Sequence, residues 1–335
     1  MHTIQTYWRP SVALHIDEPG LQSTIQDLGR PGHYNVGIPF GGAMDTLSHE
    51  IANLLVGNDR EAATIESTYT APKFTVTAPT VMAVAGATMD ISVNGSAVPQ
   101  WSAITLEEGD VVSCGFASAG TRTYFAFAGG VDVPVVLGSR STYSLGKIGG
   151  FHGRPLAAGD TVPIRPTDQR AVYRNLHDDL RPRFTRAVTA RVVVGLYAHL
   201  LTTDSVDMLT SAEWKLTPVA DRTGLRFNGD EKFEFEEREQ PFGAGSDPSN
   251  IVDAGYAVGS IQIPGGNQPI VLHRDAVSAG GYAMVATVIS ADMNALAQLA
   301  PGSTAVFEAT SIDQALTARA DSSRRRARIH EALSF

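Results

Sequence analysis

The chain has a single cysteine, Cys114. No intramolecular disulfide and no cysteine-rich metal site can be built from it, and its setting, Val-Val-Ser-Cys-Gly-Phe, reads as a strand carrying a buried, inert thiol. Positive charge is also short: 26 Lys and Arg stand against 35 Asp and Glu, a formal net charge of −9. A nucleic-acid partner needs a basic face, so small molecules or proteins are the expected partners. No apolar run reaches the roughly 18 residues that would cross a bilayer. The first ten residues, MHTIQTYWRP, lack the hydrophobic centre of a signal peptide, and a soluble cytoplasmic protein without a membrane partner is expected. A Walker phosphate loop, an HExxH pair and a GxSxG elbow are all missing. The nine histidines are scattered without ligand spacing, so no metal is expected; His273, between Leu272 and Arg274-Asp275, is the one beside a polar loop.

What is present is length and glycine. A chain of 335 residues, 43% hydrophobic, can bury two cores. Its 32 glycines, 18 prolines and many short Val/Ile/Thr runs favour strands over helices.

The stretch Thr24 to Gly57, TIQDLGRPGHYNVGIPFGGAMDTLSHEIANLLVG, concentrates polar groups (Gln26, Asp27, Arg30), two glycine-bearing loops and a short helix. Leu47, Ile51, Leu54 and Leu55 recur at helical spacing. Asp45 is placed to cap that helix and Gly57 to end it. Free amides and the helix dipole at its start form an anion site for a carboxylate or phosphate; the alternative is that Gly41-Gly42 only allow a tight turn and Asp45 only caps.

Along the chain, residues 1 to 10 read as a lead-in, followed by a strand from Ala13. Runs at 64–68, 74–77, 81–84, 111–116 and 122–127 are β-prone and separated by Pro or Gly, and Asn94-Gly95 is a hairpin signal. Leu106-Glu-Glu-Gly-Asp, Leu156-Ala-Ala-Gly-Asp and Leu299-Ala-Pro-Gly-Ser each read as a glycine turn launching a strand. Their presence in both halves points to barrel-like sheets in both. Ser139 to Arg154 is a polar, glycine-rich stretch, equally readable as a binding loop or a solvated crossover. Residues 166 to 187, charged and with little apolar period, are the linker candidate.

The second half opens with a strand at 190–195 and a helical piece at 205–214. Asp221 to Arg226 is a loop feeding a strand, with Arg222 and Arg226 on one alternation face; Glu231 to Glu239 reads as a solvated strand edge. Gly259 to Pro269 leads into Ile270-Val271-Leu272, and Asp292 to Leu299 reads as a short helix. The chain after Ile312 is helix-prone and ends in a basic tail, 319–335, whose Arg324-Arg325-Arg326 run reads as a solvated helix face. Two constellations result: Gln26, Asp27, Arg30 and Asp45 in the first half, and Gln262, Asn267, Gln268 and Asp275 in the second. Amides and carboxylates together offer donors and acceptors that suit a planar amide or lactam ligand.

The runs PGLQSTIQDLGRPGHYNVGIPFGGAMD, ANLLVGNDREAATIE, FAFAGGVDVPVVLGSRSTY, IGGFHGRPLAAGD, GSIQIPGGNQPIVL and GGYAMVATVISADMNALAQLAPG closely resemble the family of 5-oxoprolinase C subunits, also labelled allophanate hydrolase subunit 2 or biotin-dependent carboxyltransferase-like. The resemblance runs from about Pro19 to Ala309. It implies a mainly β fold with short helices, made of two cyclophilin-like β-barrel domains (11–185 and 186–318). It also implies work beside a B-subunit homologue and an A-subunit homologue, in an ATP-dependent 5-oxoprolinase that opens 5-oxo-L-proline to glutamate. A related urea amidolyase uses the equivalent region to transfer a carboxyl group from biotin to urea, and a third relative belongs to a complex that inhibits a sporulation histidine kinase. The motif positions carried over are Gln26, Asp27, Gly29, Arg30, Gly42, Met44, Asp45, Asn53, Glu66, Arg140 and Thr142, then Asp221, Arg222, Gly224, Gln262, Gln268, Asp275, Gly280, Gly281 and Tyr282. Ala276-Val277-Ser278-Ala279 stands where the family commonly has Arg-Gln-Thr-Thr, which removes several hydrogen-bonding groups from one loop.

Under the 5-oxoprolinase reading, ATP occupies a site shared between subunits, and the expected catalytic residues are Asp27, Arg30, Glu66 and Asp275. Arg30 and Arg140 face phosphate charge, Arg30 as an exposed arginine, and Asp27 or Glu66 acts as acid or base. Gln26, Gly42, Asp45, Asn53, Arg140, Thr142, Gln262, Gln268 and Gly281 are the expected binding residues. Biotin enters only under the urea reading.

Overall fold

The computed structural model describes residues 12–167 and 174–334. The lead-in at 1–10, the domain start at residue 11 and residues 168–173 of the linker lie outside them.

The fold is mainly β. In the first half the strands form two sheets. The six-stranded one runs, in spatial order, Thr161–Pro163, Ala13–Glu18, Lys73–Val76, Val111–Cys114, Ile91–Val93 and Ser96–Ala97. The five-stranded one runs Gln22–Gln26, Thr64–Thr68, Ala119–Phe127, Thr80–Thr88 and Ala103–Leu106. Every pairing is antiparallel. Side-chain alternation sorts residues between two cores. Phe125, Phe127, Met82 and Val84 face the six-stranded sheet, whereas Tyr124, Ala126, Ala83 and Ala85 face the helix Thr46–Leu55. A sheet covered on both faces needs apolar residues at consecutive positions, which is why 81–85 and 124–128 read as unbroken apolar runs.

The second half is a closed seven-stranded barrel: Ala187–Val194, Met284–Val288, Ser260–Gln262, Ile270–Leu272, Gly224–Asn228, Glu213–Ala220 and Thr304–Ala309. Closure is made by the parallel pairing of 187–192 with 304–309. Asn250–Gly255 and Ala279–Tyr282 form a separate two-stranded sheet at its mouth. Trp214, expected in the 205–214 helix, belongs instead to the Glu213–Ala220 strand and fills the barrel core, the helix being Thr203–Ser211.

The three repeated turns share one geometry. Gly109, Gly159 and Gly302 have φ of 87°, 86° and 83°, and each donates its N–H to a carbonyl on another strand, Val76, Ile16 and Leu216 respectively. Asn94-Gly95 likewise closes a hairpin with both φ values positive.

Several expectations are corrected. The described linker residues are packed, not loose: Leu176 is fully buried in the helix-side core and Arg174 donates to Leu54 O. The 319–335 segment is not set apart as a tail, because Ile312–Ala332 is one helix begun by a Ser311–Gln314 capping box. It reaches back to the first half, where Arg326 bridges Glu50 at 2.5 Å and Ile329 and Leu333 join the core under the 46–55 helix. Residues 231–239 form irregular chain, anchored by Phe233 in the barrel core. No helix among the described residues is long and apolar enough to cross a membrane.

Candidate functional site

The stretch from Thr24 to Gly57 is built as a clasp. Gly29 and Gly42 lie against each other with φ of 97° and 86°. A Cβ on Gly42 would come within 2.7 Å of Gly29 N, and one on Gly29 within 2.6 Å of Phe40 O. Only glycine allows that approach. Asp27 locks the clasp to the second polar loop: its carboxylate accepts from Gly29 N, Ser139 Oγ, Arg140 N and Ser141 Oγ. With three donors on Oδ1 and one on Oδ2, it holds the two loops together.

Arg30 is buried, with 1% exposure, not the exposed arginine expected. It donates from Nη2 to Ser141 O, and its Nε and Nη1 find no acceptor among the described residues. Burial lowers its pKa against the pull of Asp27 and Asp275. At the start of the 46–55 helix the first-turn amides already have acceptors within the chain. Leu47 N and Ser48 N donate to Asp45 Oδ1, Thr46 N donates to Asn294 Oδ1, and His49 N returns to Asp45 O. The first-turn amides are consumed by the chain itself, so the capping reading of Asp45 is the correct one. Gln298 adds a bond to the other Asp45 oxygen, and burial raises this carboxyl's pKa against the Ser48 and Gln298 bonds.

The remaining first-half candidates are also framework. Gln26 Nε2 donates to Thr24 Oγ1 and Thr142 O, Thr142 Oγ1 donates to Ile25 O, and Asn53 Nδ2 holds Ala62 O. Arg140 Nε donates to Val133 O.

Where the halves meet, Arg222 forms a buried ion triad. Nη1 lies 2.5 Å from Glu66 Oε1, while Nε and Nη2 lie 2.8 and 3.0 Å from the two Asp275 oxygens. Nη2 also donates to Gly42 O. Glu66 accepts in addition from Met44 N and from Tyr124 Oη, its cross-strand neighbour. Burial works to raise the Glu66 pKa, but Arg222, Arg122 and these bonds outweigh it and the carboxyl stays below its usual range. Asp275 has fewer partners, and burial leaves it raised. Burial would lower Arg222, but Asp275 and Glu66 hold it above its ordinary value. Arg222 and Arg226, expected on one face, are separated: Arg222 sits in the turn before the strand, and Arg226 is exposed within it. His273 is fully buried, accepts from Arg274 N, and is held neutral by burial and three neighbouring arginines.

The triad fixes a wall of the barrel mouth. Asp275 N donates to Arg222 O and His273 N to Thr223 O, so the 221–224 turn is pinned to the 273–275 corner. Asp221 and Thr223, flanking Arg222, line a cavity of about 560 Å³ together with Arg226, Gln262, Tyr256, Val277, Gly281 and Tyr282. Gln262 is 6% exposed and its Nε2 makes no hydrogen bond among the described residues. Its amide lies against the Tyr256 hydroxyl and acts on it without a well-formed bond, while that hydroxyl donates to Tyr282 O and accepts from Tyr282 N. One Asp221 oxygen accepts from Thr223 N and Gly224 N, and Arg226 has no side-chain partner among the described residues. Such a cavity can hold a planar polar ligand: a donor from Gln262, a cation from Arg226, a carboxylate from Asp221 and apolar walls from Ile270, Leu272 and Val277.

Of the expected site residues, the structure therefore brings Gln262 and Gly281 together in one cavity. Gln268 lies outside, bonded to Asn228 on an exposed strand end. Tyr256 was missed by sequence reasoning; the only signal was its position before the Gly259 turn, which says nothing about where the ring points.

Residues 36–309 match the family model described as carboxyltransferase domain, subdomain A and B. The chain is 32% identical over 315 residues to the 5-oxoprolinase C subunit of Escherichia coli, covering 93% of this chain and 96% of that one. It is 31% identical to the urea amidolyase of Saccharomyces cerevisiae over 91% of its own length, but spans only 17% of that much longer relative. The crystal structure of the Kluyveromyces lactis urea amidolyase aligns with 97% of the chain and 20% of its own, at a TM-score of 0.89 and 29% identity. The chain belongs to the carboxyltransferase domain A and B family.

Proposed function

We propose that this chain is the C subunit of an ATP-dependent 5-oxoprolinase and that the barrel-mouth cavity holds the lactam. The observation that carries the reading is the unmatched Gln262 Nε2 donor, buried in the same cavity as the unpaired Arg226. A cyclic amide bearing a carboxylate satisfies both: its carbonyl oxygen accepts from Gln262, and its carboxylate meets Arg226. The near end-to-end match to a protein named as a 5-oxoprolinase C subunit supports the same reading.

Ring opening adds water across the C–N bond. The water oxygen joins the carbonyl carbon, the electrons of the broken bond stay on nitrogen, and nitrogen takes up a proton. Asp221 is the one carboxylate lining the cavity among the described residues, and we assign it the role of proton acceptor from the attacking water. Neither the helix start nor the triad fits a triphosphate: the helix amides are consumed by Asp45 and Asn294, and Arg222 is committed to two carboxylates. ATP is accordingly assigned to a site that B-subunit and A-subunit homologues complete, and the isolated chain should not turn it over.

A second reading, carboxyl transfer from biotin to urea, is favoured by the TM-score of 0.89 to urea amidolyase. Urea carries no carboxylate and would leave Arg226 without a partner. The test is reconstitution with homologues of the B and A subunits, 5-oxoproline and ATP. Glutamate and ADP should form together; no glutamate, combined with urea-dependent consumption of carboxybiotin, would replace the first reading with the second.

A further inference from the structure

A groove of about 680 Å³ lies between the two halves, away from the barrel mouth. Its first-half wall is Leu21, Tyr69 and the 116–120 segment; its second-half wall includes Pro218, Ala220 and the 298–303 turn, with Phe184 and Arg186 at one end. Three features are left over by the fold. The rings of Tyr69 and Phe116 stack at 5.9 Å with 10° between their planes, and Phe116 is 66% exposed, so an aromatic shelf faces solvent. Ser303, 1% exposed, lines the groove with a hydroxyl that has no partner among the described residues. Arg186, on the rim, has a guanidinium without an acceptor among the described residues.

An apolar shelf alone would select nothing, but the other two groups narrow the chemistry. An aromatic surface exposed beside an unpaired cation favours a flat ring with a negative charge a few atoms away. A buried hydroxyl lacking a partner has given up its bond to water without a replacement, so the ligand should carry a polar ring atom at its inner edge. The shelf is held rigidly. Tyr69 has a left-handed backbone at φ 61°, is fixed by N–H donation to Thr121 O, and accepts from Ala117 N through its own carbonyl. Gln298 ties both walls together, accepting from Thr121 N and Arg122 N and donating to Arg122 O.

We propose that this groove is a second ligand site, for a planar aromatic anion: the ring stacks on Tyr69 and Phe116, the anionic group meets Arg186, and Ser303 binds a ring heteroatom. A purine nucleoside monophosphate and a heteroaromatic carboxylic acid both present that chemistry. The site is separate from the lactam cavity and does not depend on the assignment made there.

Calorimetric titration of the full chain with AMP, and separately with quinoline-3-carboxylate, tests the proposal and distinguishes the two sources. Saturable binding of AMP alone assigns a nucleotide, and of quinoline-3-carboxylate alone a heteroaromatic acid. In either case Phe116→Ala and Arg186→Gln, both at exposed positions, should each weaken the dissociation constant at least about tenfold without moving the thermal midpoint. Absence of binding by both probes at millimolar concentration overturns the proposal, as does binding that neither variant weakens.

Discussion

Arg222 Nη1 lies 2.5 Å from Glu66 Oε1, and this contact crosses from the second half of the chain to the first. The same guanidinium holds Asp275 in its own half. All three side chains are less than a tenth exposed. A buried triad of this kind contributes modestly as a whole, but removing one member strands the others.

Arg222→Met should therefore lower unfolding stability by about 3–5 kcal/mol, because Glu66 is left buried without its counter-charge. Adding Glu66→Gln to Arg222→Met should restore part of the loss. Urea denaturation of the three proteins measures both, and additive losses would show that the two residues do not act as a pair.

Little of this was legible in the sequence, for a physical reason. Local elements were readable: the Asp45 cap, the Asn94-Gly95 hairpin and the three glycine turns depend on residues a few positions apart. The triad depends on 156 positions of separation between Glu66 and Arg222, which no local period encodes. Polar residues in glycine-rich stretches were read as ligand-facing. In the structure Asp27, Asn53 and Thr142 spend their hydrogen bonds on neighbouring backbone and side chains, as does Gln26 Nε2, since loops without regular ladders must satisfy their amides by side chains. The polar constellation of the second half supplied Gln262 and the resemblance to the family Gly281; their convergence with Arg226 and Tyr256 required the closed barrel.

Acid stability should be set in part by two histidines. His49 is buried with its pKa pushed down to about 4, and His273 well below its ordinary value, both through burial first. A depressed histidine is neutral when folded and protonates first in the unfolded chain, so its stabilisation is complete above about pH 6.5 and declines as pH falls. Each contributes a slope of about 1.4 kcal/mol per pH unit, for His49 down to about pH 4. His49→Gln should flatten the stability profile between pH 6.5 and 4.5 by one proton; an unchanged slope contradicts the assignment.

Asp45→Ala should cost about 1–2 kcal/mol, the loss of a cap, with Gln298 left without one acceptor. Sulfate should not restore the lost stability preferentially, because Thr46 N remains held by Asn294. A sulfate-dependent rise in thermal midpoint specific to the variant would revive an anion role for the helix start.

Gln262→Leu removes a buried donor that has no partner among the described residues. Its stability should stay within about 1 kcal/mol of the parent, because replacing an unmatched polar group costs little. In the reconstituted complex its KM for 5-oxoproline should rise at least about tenfold. An unchanged KM would remove Gln262 from the lactam contacts.

The central claim is that the barrel mouth holds a carboxylate-bearing lactam with Arg226 on the carboxylate. Its most direct test compares kcat/KM for 5-oxoproline and for 2-pyrrolidinone, the same ring without the carboxylate, in the parent complex and in Arg226→Gln. The expected result is a loss of at least about thirtyfold for 5-oxoproline, about 2 kcal/mol of transition-state binding, with 2-pyrrolidinone unaffected. Equal losses for both lactams, or none for either, would contradict it.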